Sequence, residues 1–93
     1  MVRIELNLLN MFQYILNKKS IEYEGETVGD IIKQFVKEYR DQLDPRLLDK
    51  SKKKLNKEIL VILNGRNIDF LDKYNTKIKE QDKLYLSIPL GGG

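Results

Sequence analysis

From Val2 to Leu9 apolar and polar residues alternate: Val2, Ile4, Leu6 and Leu8 share one side, and Arg3, Glu5 and Asn7 share the other. A period of two predicts a strand with one buried face. The run Met11-Phe12-Gln13-Tyr14-Ile15-Leu16 breaks that period and reads either as one short helical turn or as an apolar connection. Asn17-Lys18-Lys19-Ser20 has the composition of a turn. Ile21 and Tyr23 then alternate with Glu22 and Glu24, predicting a second strand that runs to Gly25. The two strands make a hairpin with an elaborate loop.

The next segment is the most regular. Val28, Ile31, Ile32, Phe35, Val36 and Tyr39 follow one another at helical spacing and trace a single face. Thr27 is a good N-cap. Asp30 stands where the acid of a capping box would and suits the positive end of a helix. A helix from Val28 to about Arg40 follows. Asp41 to Lys57 is polar and reads as a surface loop, with Pro45 opening a short helical turn through Arg46, Leu47 and Leu48. Leu60 to Leu63, led by Ile59, is continuously apolar and predicts a central strand buried on both faces. Asn64-Gly65 is a turn signal. Ile68, Phe70 and Leu71 predict a short edge strand or turn, and Ile78 is an isolated apolar anchor. Gln81-Asp82-Lys83 turns the chain into a last strand, where Leu84, Leu86 and Ile88 alternate with Tyr85 and Ser87. Pro89 ends it, because proline donates no ladder hydrogen bond.

The order strand, strand, helix, strand, short elements, strand predicts an α+β fold in two layers, with one main helix across a mixed sheet. It allows the first and last strands to lie parallel and adjacent, with the helix in the crossover between them. No repeat or interdomain linker interrupts the 93 residues, which suit one domain.

Composition narrows the chemistry. The chain has no Cys and no His. That removes disulfides, thiolate nucleophiles, thiolate zinc sites, the commonest general base and the usual transition-metal ligand. No apolar run approaches the roughly 18 residues of a membrane span, so no membrane partner is expected. The absence of Cys suits a cytoplasmic protein. With 17 basic and 14 acidic residues, the net charge of +3 is too mild to argue for nucleic-acid binding by itself.

The sharpest chemical feature is the ending Leu90-Gly91-Gly92-Gly93. Glycines after a strand add no packing and lose much entropy when ordered, so residues 91–93 predict a mobile tail beyond a domain of residues 1–90. Such a tail can thread a narrow tunnel and offer its carboxylate, or be a frayed end; from the tail alone both stay open. Lys50, Lys52, Lys53, Lys54 and Lys57 read as a solvated loop, with contact to tRNA or an acidic partner as the less favoured alternative. Tyr85 and Ser87 fall on the face opposite Leu84 and Leu86, and Leu60 and Ile62 can share it. That face either docks a partner or closes a small second core with Phe12 or Phe70. Asp69 and Asp72 lack the spacing of a calcium loop, and Glu26 with Asp30 is explained by helix capping.

The stretch Ile59 to Gly65, then Leu71, Ile78, Asp82 and Leu90-Gly91-Gly92-Gly93, resembles the second half of the small ubiquitin-like sulfur carriers. That superfamily holds MoaD, ThiS, the archaeal small modifiers and the ubiquitin-related modifier. The acidic turn Glu80-Gln81-Asp82 is nearer to the ubiquitin-related modifier and the long archaeal MoaD-like proteins than to the usual Asp-Gly-Asp. The first strand, Phe12, Lys18-Lys19, the second strand and Gly25-Glu26-Thr27-Val28 extend the resemblance over most of the chain, most poorly over Asp41 to Lys57.

The resemblance implies a β-grasp fold and a carrier rather than an enzyme. An E1-like adenylating enzyme would use ATP to adenylate the Gly93 carboxylate, with no cofactor held stably by this chain. A sulfur donor protein would then convert it to a thiocarboxylate. The sulfur would pass to a tRNA-thiolation enzyme, or a target-protein lysine would capture the activated tail in an isopeptide bond. Leu90, Gly91 and Gly92 would be read by the partner. Gly91 departs from the most familiar endings, where another residue precedes the final pair. Two other readings are the MoaD-like small subunit of molybdopterin synthase, seated in the large subunit, and a non-catalytic ubiquitin-like binding module.

Overall fold

The Thr27 hydroxyl accepts the backbone N–H of Asp30 at 3.2 Å, and the Asp30 carboxylate accepts those of Thr27 at 3.2 Å and Glu26 at 2.9 Å. This reciprocal box satisfies donors that a helix start otherwise leaves orphaned. It opens the main helix of the computed structural model, which describes residues 1–89. In chain order the elements are strand β1 (Val2–Leu8), helix α1 (Asn10–Leu16), β2 (Ser20–Gly25), the main helix α2 (Val28–Tyr39), β3 (Leu60–Leu63), β4 (Arg66–Asn67) and β5 (Leu84–Ser87). Short 3-10 turns at Pro45–Leu47, Ile68–Phe70 and Lys73–Asn75 complete them.

The five strands lie in the order β2-β1-β5-β3-β4. β1 and β5 are parallel, with Leu6 opposite Leu84 and Leu8 opposite Leu86; the other pairs are antiparallel. Parallel neighbours need a long crossover, and here it carries α2 over one face of the sheet. Ile4, Leu6, Leu84 and Leu86 point from that face into a core shared with Val28, Ile31, Phe35 and Val36 of α2. This is the α+β, β-grasp arrangement.

Three expectations change. First, Met11 to Leu16 is neither a single turn nor a connection but part of a seven-residue helix, closed by Asn17 in the left-handed region at φ 52°. Phe12 and Leu16, four apart, share its buried face, and Phe12 meets Phe35 edge-on with ring centroids 6.2 Å apart. Phe12 thus belongs to the main core, and Phe70 is 85% exposed, so neither forms a second core. Second, Leu60 to Leu63 is not the central strand. β5 is central, and β3 buries only Val61 and Leu63 while Leu60 and Ile62 stay half-buried on the other face. A continuous apolar run suggested burial on both sides, but here one of its faces is left open.

Third, Asp41 to Lys57 is more than a surface loop. Leu43, Leu47, Leu48 and Leu55 enter the core, and Leu48 and Leu55 are joined by an antiparallel bridge. The irregular spacing of these leucines has no period to betray it. Lys50, Lys52, Lys53, Lys54 and Lys57 are exposed.

The Asn64-Gly65 turn between β3 and β4 has both residues at positive φ, 52° and 84°. That is the mirror-image turn whose twist suits a hairpin and which Asn-Gly favours. Asn64 also donates to the Asp82 carboxylate at 2.9 Å and accepts from the Lys83 N–H at 2.9 Å. The acidic turn before β5 is thereby tied to the hairpin.

Candidate functional site

β5 leads directly to the tail, so the surroundings of its end define where a reactive terminus would be presented. Leu90, Gly91, Gly92 and Gly93 lie outside the described residues. Their root does not. Ile88 and Pro89 follow β5, and the side-chain oxygen of Asn10 accepts both the Ser87 hydroxyl and, at 3.3 Å, the Ile88 N–H. Leu9 N–H donates to the Leu86 carbonyl at 3.0 Å, which extends the β1–β5 pairing to that end. Asn10 holds a left-handed backbone at φ 53° at the first position of α1, where Asn is among the few residues that adopt it at low cost. Asn10 was not singled out by sequence reasoning. An Asn between a strand and an apolar helical run is the one signal that pointed to it.

The antiparallel register of β3 and β5 sets Leu60 opposite Ser87 and Ile62 opposite Tyr85. All four side chains therefore share the open face of the sheet. Leu60, Ile62 and Tyr85 are half-buried there, whereas Ser87 is buried, its hydroxyl engaged by Asn10. Ser87 is thus a link to the tail root more than a contact surface. Asn7, opposite Tyr85, donates to the Leu84 carbonyl at 3.1 Å. Toward β2 the face turns charged. Arg3 bridges Glu22 at 3.2 Å and Glu24 at 2.7 Å. The hydrogen bond and charge of Arg3 hold the Glu24 carboxyl below its ordinary range. These ion pairs are exposed and contribute little stability. They leave an apolar stripe beside the tail root, flanked by fixed charge.

The helix side carries different chemistry. The Tyr23 hydroxyl, at the buried edge of β2, donates to Glu38 of α2 at 2.7 Å. Burial, then that bond, pushes its ionisation far above the ordinary tyrosine value. The Asp30 carboxylate is engaged by the backbone N–H groups of Glu26 and Thr27, capping bonds that also lower its pKa. Among the described residues no cluster of carboxylates is arranged to hold a metal ion, and no helix is long and apolar enough to cross a membrane. What the described residues offer is an oriented strand end next to a half-buried apolar stripe.

The model of the ThiS family matches residues 8–93, which includes the glycine ending. No curated protein gives a match. Among solved structures, the small archaeal modifier protein 1 of Methanosarcina acetivorans superposes with a TM-score of 0.83 at 22% identity, covering 100% of this chain and 98% of that one. The HVO 2177 protein of Haloferax volcanii gives 0.75 at 28% identity, with 99% and 87% covered. The BexX/CysO complex of Amycolatopsis orientalis gives 0.66 at 23% identity, with 100% of both chains covered. The β-grasp fold is shared with these neighbours.

Proposed function

The chain belongs to the ThiS family of ubiquitin-like sulfur carriers and modifiers, and on that premise we propose that Gly93 is its reactive group. The observation that carries this reading is the family match running through residue 93, joined to a fold that delivers β5 toward that end. The chain is the substrate of a partner enzyme, not a catalyst. A Gly93 carboxylate oxygen attacks the α-phosphorus of ATP in an E1-like adenylating enzyme, and pyrophosphate leaves. A carboxylate is a poor acyl donor; the mixed anhydride with AMP is a good one, because AMP departs as a stable anion.

A persulfide on a sulfur donor protein then displaces AMP from the acyl carbon. A thiol cleaves the resulting acyl-disulfide, becoming oxidised to a disulfide, and Gly93 is left as a thiocarboxylate. From there the sulfur goes to a tRNA-thiolation enzyme. Alternatively, a target lysine amine attacks the activated acyl carbon, expels the leaving group and forms an isopeptide bond. The side-chain-free Gly91 and Gly92 admit the tail to a narrow channel, with Leu90 as the apolar residue read at its entrance. Leu60, Ile62 and Tyr85 dock the adenylating enzyme beside that channel.

Support for a modifier role comes from the structural likeness to a protein named a small archaeal modifier, and for a partnered carrier from the likeness to CysO, solved with BexX. The test is the intact mass of the protein after incubation with an E1-like enzyme, ATP and a persulfide donor. A sulfur-for-oxygen exchange at Gly93, absent from a variant extended by one residue, is the expected result. An unchanged mass with an enzyme active on another carrier overturns the reading.

A further inference from the structure

Two adjoining grooves meet at Tyr74 on the side of the molecule away from the open sheet face. Lys50, Lys54, Lys57 and Lys73 line one, and Lys33, Lys53 and Lys54 line the other. Val61, whose neighbours Leu60 and Ile62 point to the open face, lies in the floor of the first groove, which places it on the helix side of the sheet. All six lysines are exposed. The ion pairs among the described residues join Arg3 to Glu22 and Glu24 and Arg46 to Asp44, so none of the six has a carboxylate partner there.

The charge is unevenly placed. Six of the 17 basic and two of the 14 acidic residues, Asp49 and Asp69, stand in these grooves. The grooves therefore carry +4 and the rest of the chain −1, although the whole chain is only +3. The mild net charge hid a concentrated one, since Lys33 and Lys73 join the loop lysines only in the folded chain.

Tyr74 supplies the second half. It is shared by both grooves and 39% exposed. Its backbone is fixed: its carbonyl lies where a β-carbon on Gly29 would come within 2.9 Å, and the Val28 N–H bonds the nearby Thr76 carbonyl at 2.9 Å. A partly exposed ring in grooves lined by unpaired lysines can bind a strand by stacking a base while the lysines neutralise phosphates, although burial and then the Asp69 and Asp49 carboxylates act on its hydroxyl and raise its pKa. An acidic protein surface would use the lysines but give the ring no partner of its own.

We propose that the grooves around Tyr74 bind single-stranded nucleic acid, the phosphates on Lys50, Lys53, Lys54, Lys57, Lys33 and Lys73 and a base on the Tyr74 ring. This surface lies on the opposite side of the sheet from the apolar stripe. Strand binding and docking at Leu60, Ile62 and Tyr85 therefore do not compete, and the proposal stands whether or not Gly93 is activated.

The experiment is fluorescence anisotropy of the full chain with fluorescein-labelled oligo(U) and oligo(dT). Engagement of about four phosphates, at a slope of roughly −0.7 each, predicts about a fifty-fold loss of affinity between about 50 mM and about 200 mM salt. Lys54→Glu, in the exposed loop, is expected to weaken binding about ten-fold and flatten the slope. Tyr74→Ala weakens it similarly, and Tyr74→Phe, which keeps the ring and the packing, does not. Lys18→Glu/Lys19→Glu, remote from the grooves, leaves it unchanged. Binding of both oligonucleotides supports the shared strand chemistry, and preference for oligo(U) adds a 2′-hydroxyl contact. No binding at low salt overturns the proposal, as does an equal loss in the remote variant or equal capture of a poly-glutamate peptide. Indifference to Tyr74→Phe and Tyr74→Ala alike, in proteins that stay folded, overturns the stacking role.

Discussion

The side-chain oxygen of Asn10 accepts the Ile88 N–H at 3.3 Å, tying the first residue of α1 to the root of the tail across 78 positions of sequence. The same atom takes the hydroxyl of the buried Ser87. One side chain thus fixes the end of the central strand from the side, at the point where the chain leaves the sheet. Its own backbone pays a left-handed φ of 53° to do so. A non-glycine residue held in that region at the end of a central strand is a place to look for a positional role.

Two substitutions separate the bonds from the backbone. Asn10→Ala loses both hydrogen bonds and also meets the left-handed penalty, about 1–2 kcal/mol, that Asn partly escapes. Asn10→Gly loses the bonds but not the conformation. Urea unfolding is expected to show Asn10→Ala less stable by about 2 kcal/mol and Asn10→Gly by about 1 kcal/mol, each speeding exchange of the Ile88 amide hydrogen. Wild-type exchange at Ile88 in both variants would show that Asn10 does not anchor the tail root.

The capping box makes an acid-side prediction. The Glu26 and Thr27 N–H groups lower the Asp30 pKa in the folded chain, and the Arg46 side chain, then its backbone, holds Asp44 at about 2. A carboxylate depressed on folding adds stability above its unfolded pKa, near 4, and loses it as pH falls through the folded value. Stability should therefore fall from about pH 4 toward about pH 2, the Asp44 share disappearing last. Asp30→Ala is expected to cost about 1 kcal/mol at neutral pH and to shrink that acid limb, read by urea midpoints across the range. An Asp30→Ala midpoint equal to wild type at every pH would leave the cap without energetic weight.

How much of this could be read beforehand depended on period. Val28 to Tyr39 repeats at 3.6 and Val2 to Leu8 at two, so both elements and the Thr27 cap were legible, while the pattern allowed the parallel pairing of β1 with β5 without fixing it. Leu43, Leu47, Leu48 and Leu55 obey no period, and their burial is decided by what α2 and β3 leave uncovered. β3 misled for the opposite reason. Apolar residues on both of its faces signal either a buried strand or an open apolar surface, and only the position of the neighbours distinguishes them. The link from Asn10 to Ile88 and the gathering of Lys33 and Lys73 around Tyr74 join distant segments, which no local pattern encodes.

Tyr23 sets the alkaline side. Burial, then the bond to Glu38, favours its neutral form in the folded chain and raises its pKa. A phenol raised on folding contributes fully below the unfolded value near 10, and its contribution is lost as pH rises above that value. Absorbance titration should leave Tyr23 un-ionised until the fold is lost, and Tyr23→Phe should remove that lagging group. The variant is also expected to lose about 1 kcal/mol with the bond to Glu38 and to become less sensitive to alkali. A titration in which Tyr23→Phe removes a group ionising near 10 would mean that Tyr23 is open to solvent.

The open face provides the test that links fold to the proposed chemistry. Ile62 and Tyr85 are cross-strand partners and half-buried. Ile62→Glu removes no core contact, since Val61 and Leu63 carry the burial of β3, so stability should shift by no more than about 1 kcal/mol. If an adenylating enzyme docks on this stripe, a charge placed at its centre leaves an unpaired carboxylate in the interface. That costs about 2 kcal/mol or more, which corresponds to at least a ten-fold rise in KM for ATP–pyrophosphate exchange. The maximal rate should change little, because the substitution alters docking and leaves the reacting carboxylate unchanged. Tyr85→Ala should act in the same direction, and Lys54→Glu, on the reverse side, should not act at all. A fall in kcat with KM unchanged would place the stripe outside the docking surface and make the sheet's open face a feature of the fold alone.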